Sequence, residues 1–199
     1  VDDTAGTATV LELARQFANM AESKGEPYYT LKFCTWGGEE EGLHGSKAFV
    51  AAYMGQLQDN LRLYINLDMN HVDIDLENRG NGLWMIGNDV TDMNYIQQIV
   101  DRFEEENPMG LADKYVIHTN TLDGEQGSNN AMPYNSDHAP FVYDLQQEEG
   151  DEPGRALLCY GSGSWEYHTY RDTMDRFNGD SLAVSGIIYG SYAAWLSWG

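Results

Sequence analysis

Five short segments of this 199-residue chain concentrate carboxylates and histidines: Asp2-Asp3, Glu39-Glu40-Glu41, Asp68, Ser136-Asp137-His138 and Tyr167-His168. Each follows an expected strand, opens an expected helix or lies in a long polar loop. Adjacent carboxylates repel one another, so a fold that gathers several at one sheet edge needs a cation there. Oxygen and imidazole donors without thiolate suit zinc, with manganese or cobalt as alternatives. Each segment alone has a plainer reading. An Asp ahead of a helix is usually an N-cap, and a Glu triplet is usually a solvated turn. It is their combination that points to a metal.

The elements that must position these groups can be read from periodicity. Residues 4–23 carry Val10, Leu11, Leu13, Ala14, Phe17 and Met20 at helical spacing, and Gly25-Glu26-Pro27 stops that helix. Residues 28–36 read as a strand broken by Gly37-Gly38, and 46–57 as a helix with Phe49, Val50, Tyr53 and Met54 inward. Strands are expected over 61–69, 82–87, 115–121 and 156–160, and helices over 90–107 and 180–198. A polar loop, 123–137, is long enough to suggest function or mobility. Cys34 and Cys159 fall in strand interiors and read as two buried thiols, not a disulfide. His71 and His118 read as surface or edge-strand residues. Strands alternating with helices give an α/β sandwich with a mixed sheet, in which ligands sit beyond the carboxyl ends of strands.

Composition narrows the partners. The formal charge of −21 would repel a phosphate backbone, which argues against nucleic acid and against anionic membranes. With 42% hydrophobic residues the chain can bury a core, yet it has no run of eighteen apolar residues, so membrane insertion is not expected.

Taken in order, Val1-Asp2-Asp3-Thr4-Ala5-Gly6-Thr7-Ala8, Trp36-Gly37-Gly38-Glu39-Glu40-Glu41-Gly42-Leu43-His44-Gly45-Ser46 and Ile65-Asn66-Leu67-Asp68-Met69 resemble motifs of the co-catalytic di-zinc aminopeptidases. Ser136-Asp137-His138-Ala139-Pro140-Phe141 and Tyr167-His168-Thr169-Tyr170-Arg171-Asp172-Thr173 resemble the last two motifs of that family. It includes bacterial leucyl aminopeptidases, aminopeptidase Y, and carboxypeptidase and glutaminyl cyclase relatives. The resemblance implies a single three-layer α/β/α domain over 1–199 with a mixed central sheet. It also implies a metal-dependent exopeptidase acting on peptides, most simply an aminopeptidase. By that resemblance Asp2 bridges two metals, Glu40 and His168 complete one of them, and Asp68 binds the other. Glu39 resembles the general base, collecting the proton of a water acidified by metal. Tyr167 resembles the phenol that meets the carbonyl oxygen as it becomes an oxyanion. Asp3 resembles a residue that follows a cis peptide and orients a ligand, while Asp137 and His138 fall at the substrate rim and read equally as substrate contacts or as partners of the ligands. Asp172 reads equally as a helix N-cap or as a partner of the ligands. Glu41 reads as a solvated turn residue, and Trp165 and Phe141 as pocket wall.

The family's second metal also takes a histidine from a His-x-Asp segment ahead of Asp-Asp. Only Val1 precedes Asp2 here, so the expectation is a piece of a longer protein without the early strands of the fold. Two zinc ions are usual in the family. Without that histidine, at most one tightly bound zinc is expected in this chain, with His138 the candidate substitute if there are two. A carboxypeptidase would need a basic clamp such as Arg171, and a glutaminyl cyclase-like acyltransferase would release ammonia from N-terminal glutamine. A non-catalytic relative would have lost the base or a ligand. Secretion or a place in the cell envelope is expected from the resemblance alone.

Overall fold

Helix α1 (Thr4–Lys24) begins where the Asp3 carboxylate accepts the Gly6 N–H at 3.2 Å. It ends at Gly25, whose φ of 89° leaves the helical path. In the computed structural model, which describes every residue except Val1, Glu149 and residues 163–165, eight further regular elements follow. They are α2 (His44–Asn60), β1 (Tyr64–Leu67), α3 (Leu76–Arg79), β2 (Gly82–Gly87), α4 (Val90–Glu106), β3 (Val116–Thr121), β4 (Ala156–Gly161) and α5 (Gly179–Trp198). Helix α4 has the clearest start, with Asp89 accepting from the backbone of Thr91 and Asp92.

The four strands form one mixed sheet in the order β1-β4-β2-β3. β1 runs parallel to β4 and β2 parallel to β3, while β2 and β4 are antiparallel, with Cys159 opposite both Leu67 and Met85. Alternation along the strands sorts their side chains between two faces. Leu83 and Met85 of β2, with Leu157 and Cys159 of β4, join the core built by α1, α4 and α5, where Ile96, Val100, Ile188, Tyr189 and Tyr192 are buried. Ile86, Ala156 and Leu158 face the other way, toward Leu43, Val142 and Tyr143. Val142 and Tyr143 sit on a wide helical turn, Pro140–Asp144, and α2 packs on that turn through Val50 against Phe141 and Leu145. The result is three layers, helix–sheet–helix. Each large side chain buried this way contributes roughly 1.5–3 kcal/mol relative to exposure.

Several expectations need correction. Residues 28–36 do not form a strand. A strand needs a neighbour for its alternating N–H and C=O groups, and among the described residues none pairs with this segment. Tyr28 N–H instead donates to the Ser197 carbonyl at 2.8 Å, and the Trp36 indole donates to the Tyr64 hydroxyl at 3.0 Å. Cys34 is therefore outside any strand and only partly buried, whereas Cys159 is buried in β4, and both thiols are free. Tyr53 does not point inward: α2 breaks there, at φ −117°, and the ring stays exposed. His71 is buried, not on the surface, whereas His118 does lie on the edge strand β3, stacked on Trp84. Among the described residues no helix is long and apolar enough to cross a membrane.

Candidate functional site

A glycine brings the first two acidic segments together. A Cβ on Gly6 would stand 1.7 Å from the Leu67 carbonyl oxygen, so only glycine lets the start of α1 rest on the end of β1. That contact sets Asp2 and Asp3, joined by a cis peptide bond, beside Asp68 at the carboxyl end of the strand. Glu39 and Glu40 arrive on a tight turn ahead of α2. The Glu39 carbonyl accepts from Gly42 and Leu43, and Gly38 and Gly42 take φ values of 70° and 115°. His168 follows β4 and itself adopts φ 58°. Its backbone is thus held in the left-handed region that non-glycine residues seldom occupy.

Two donor clusters meet at Asp2. Ligand atoms of Asp2, Glu40 and His168 lie within 4.8 Å of one another, and so do those of Asp2, Asp3 and Asp68. His168 Nε2 lies 2.5 Å from Glu40 Oε1 and 3.7 Å from Asp2 Oδ2. One imidazole and two carboxylates converging on a point are a donor set that zinc accepts with a position left open. The second cluster is carboxylate alone. Electrostatics agree with a site that favours a cation. Burial, reinforced by Asp68, Glu40, Asp137 and Asp2, lifts Glu39 to about 7. Burial, with Asp68 the next cause, lifts Asp3 to about 7 and Asp2 to about 6. Asp68 is raised as well, mainly by burial and against the hydrogen bond from Ser136. Tyr167 stacks on the His168 ring at 3.7 Å, and burial together with the same carboxylates keeps its phenol protonated above the ordinary range.

A cavity of about 180 Å³ opens at this point, lined by Asp2, Asp3, Glu39, Glu40, Asp68 and Asp137, and it runs on between residues 34–36 and β1. Among the described residues, no Lys or Arg lines it.

The remaining candidates divide. Asp172 Oδ2 accepts the Asp2 N–H at 2.8 Å, so it holds the candidate bridging residue and does not cap a helix. Asp3 both caps α1 and sits in the second cluster. Asp137 is within the site and accepts from Ser46 Oγ at 2.5 Å. His138 is not at a rim: it is fully buried, with Nε2 2.7 Å from the Pro133 carbonyl, and belongs to neither cluster. Phe141 is likewise core, stacked on Tyr64 at 4.0 Å, and Trp165 lies outside the described residues. Glu41 is an exposed turn residue as expected. Three residues escaped the sequence reading. Ser136 donates to Asp68 Oδ2 at 2.6 Å and accepts from Asn66 at 2.9 Å, Ser46 anchors Asp137, and Gly6 permits the approach of α1. Ser46, Ser136 and Gly6 all lie inside the motifs quoted above, but hydroxyls and glycines there gave no sign of which partner they meet.

The description of peptidase family M28 matches residues 1–192. The chain belongs to that family. Among curated relatives, a probable glutamate carboxypeptidase of Zea mays, VP8, is 28% identical over 176 residues, 88% of this M28 chain and 22% of that protein. Aminopeptidase NAALADL1 of Rattus norvegicus is 38% identical over 72 residues, 35% of the chain and 10% of its own length. Among solved structures, an aminopeptidase from Aneurinibacillus sp. strain AM-1 superposes with a TM-score of 0.65 at 23% identity, over 98% of this chain and 39% of that one. LapA aminopeptidase of Legionella pneumophila gives 0.65 at 20%, over 100% and 47%. The fold is thus that of these aminopeptidases, and the chain spans less than half the length of each of these proteins.

Proposed function

We propose that this chain carries the reaction centre of a metal-dependent exopeptidase, an aminopeptidase that hydrolyses the first bond of a peptide. The observation that supports this is the convergence of Asp2, Glu40 and His168 with Glu39 alongside. Asp2, Glu40 and His168 would hold one zinc, and Asp68 with an oxygen of Asp2 would form a weaker second position. Zinc, when bound, supplies an acidified water and a Lewis acid for the scissile carbonyl. Glu39, lifted to about 7, is suited to accept a proton near neutrality and return it to the leaving amine. The Tyr167 phenol, kept protonated, donates to the carbonyl oxygen as charge develops there. Asp3 and Asp137 add to a negative field that favours a protonated amino terminus.

The carboxypeptidase reading draws on the name of the maize relative. A terminal carboxylate calls for a guanidinium clamp. The candidate Arg171 is exposed, its guanidinium 5.7 Å over the Tyr170 ring, and among the described residues no Lys or Arg lines the cavity. Aminopeptidase therefore leads. Chromogenic aminoacyl amides with zinc supplied test it: turnover that is abolished by N-blocking and by chelation is expected. Absence of turnover, or cleavage of N-blocked but not C-blocked peptides, would overturn it. Ammonia release from an N-terminal glutamine peptide would favour the cyclase instead.

A further inference from the structure

Tyr167 and His168 stand on an exposed turn. Of residues 166–171, all described, only Glu166 is not exposed, and Tyr170 is 87% exposed. The Glu166 carbonyl accepts both the Thr169 N–H at 2.9 Å and the Thr169 hydroxyl at 2.6 Å, so Glu166 is the fixed end of this turn. Its side chain, 15% exposed, is gripped from two directions. Arg79, the last residue of the one-turn helix α3, reaches Oε1 at 3.4 Å, and Arg176 reaches the same oxygen at 3.2 Å. Arg176 is tied in turn to Asp73, fully buried, at 3.5 Å. The other end of the turn is Asp172, which holds Asp2. Buried ion pairs cost desolvation and are weak evidence of net stability. Here the two arginines and two carboxylates are joined at Glu166, the start of the exposed segment that presents His168 at a left-handed backbone position.

We propose that Glu166 is a positioning residue, gripped by Arg79 and Arg176 so that the turn presents His168 and Tyr167 to the cluster at Asp2 and Glu40. This rests on the reading of His168 as a ligand. Glu166 touches no reacting atom, and it acts only through the turn. Loss of the grip lets His168 sample positions from which it cannot ligate, so metal affinity falls before the fold does.

The test measures zinc affinity by competition with a chromogenic chelator, and the visible absorption of the cobalt-substituted protein, in wild type, Glu166→Ala, Glu166→Gln and Arg176→Gln. Zinc binding is expected to weaken on the order of tenfold or more, the usual scale for a group that orients a ligand. The cobalt spectrum should shift, and kcat should fall more than KM changes. Glu166→Asp should recover part of the affinity. A purely structural ion pair would lower the melting temperature while leaving zinc affinity and the cobalt spectrum of the folded protein unchanged, and that result overturns the proposal. If Glu166→Ala folds poorly, the isosteric Glu166→Gln and Arg79→Gln decide by the same criterion. Wild-type protein that binds zinc but cleaves no aminoacyl amide would sink the aminopeptidase reading alone, since the affinity comparison needs no turnover.

Discussion

The two clusters that share Asp2 differ in what holds them and in what they can hold. In the first, Glu40 and His168 are 58% and 49% exposed and stand on turns. In the second, Asp68 is partly buried while Asp3 is exposed, and both are hydrogen-bonded by the protein, Asp3 to the Gly6 N–H and Asp68 to Ser136. The first has the better donors in a looser frame, and the second has poorer donors in a firmer one. Solvent supplies oxygen ligands almost as well as two carboxylates do, so rigidity alone does not make the second cluster a strong site. What it does contribute is negative charge, which raises Glu39 and Asp2 and favours a cation next door.

The sharpest probe of this division is Glu39, repelled by Asp68 of one cluster and by Glu40 of the other. Glu39→Gln should cut kcat by about 10²–10⁴-fold, the range for loss of a general base, with zinc retention unchanged. If zinc retention falls instead, Glu39 is a ligand and the two clusters are one site.

Next comes retention itself. After dialysis against micromolar zinc, elemental analysis should find at most one equivalent per chain. His168→Ala should weaken that equivalent by at least about 100-fold, beyond the usual cost of losing an outer partner. Asp68→Asn should leave it in place. Two tightly held equivalents, or equal losses in both variants, would erase the distinction between the clusters.

Gly6→Ala attacks the approach on which both clusters depend. The added methyl meets a backbone carbonyl that cannot swing aside. Destabilisation of about 1–3 kcal/mol is expected, as for overpacking elsewhere, read as a drop in the denaturation midpoint. Activity should fall further than stability, because Asp2 and Asp3 move away from Asp68. Unchanged stability would mean that α1 and β1 are not locked together as described.

These residues also show how far the sequence was legible. β2 falls at 82–87 as expected and α1 at Thr4–Lys24, because alternation and helical spacing are local signals. The acidic segments were legible as a set, since their motifs occur in order. Residues 28–36 have strand composition but, among the described residues, no ladder partner, and composition carries no information about neighbours. His71 and His138 are buried although neither lies in a periodic segment, so no periodicity records their burial. α3 is one turn long, too short to show a repeat, yet its Arg79 reaches across 87 residues to Glu166. The chemistry was written in residue types, while the supports were written in contacts between distant residues.

The smallest effect expected is a pH dependence that separates the clusters from the rest of the fold. Without metal, Asp3 and Glu39 sit at about 7 and Asp2 at about 6, all raised chiefly by burial above their unfolded values near 4. An acid raised in the folded state favours folding while protonated. Its contribution is therefore fully present below about pH 4 and is lost as pH rises through the folded values, up to about 7. His138 works the other way. Burial depresses it to about 4, so its contribution is present above about 6.5 and is lost as pH falls toward 4. The two trends oppose each other in any single melting curve. The difference between zinc-loaded and chelator-treated protein removes His138, which belongs to neither cluster and titrates alike in both. That difference should widen from pH 5 to pH 8, because metal must displace protons from its ligands and the metal-free site grows more self-repelling. A change of about 2–4 °C in the gap corresponds to roughly 1 kcal/mol for a domain of this size. A gap independent of pH would mean that the carboxylates around Asp2 are paired by something other than a metal, and the contrast between the clusters would lose its electrostatic basis.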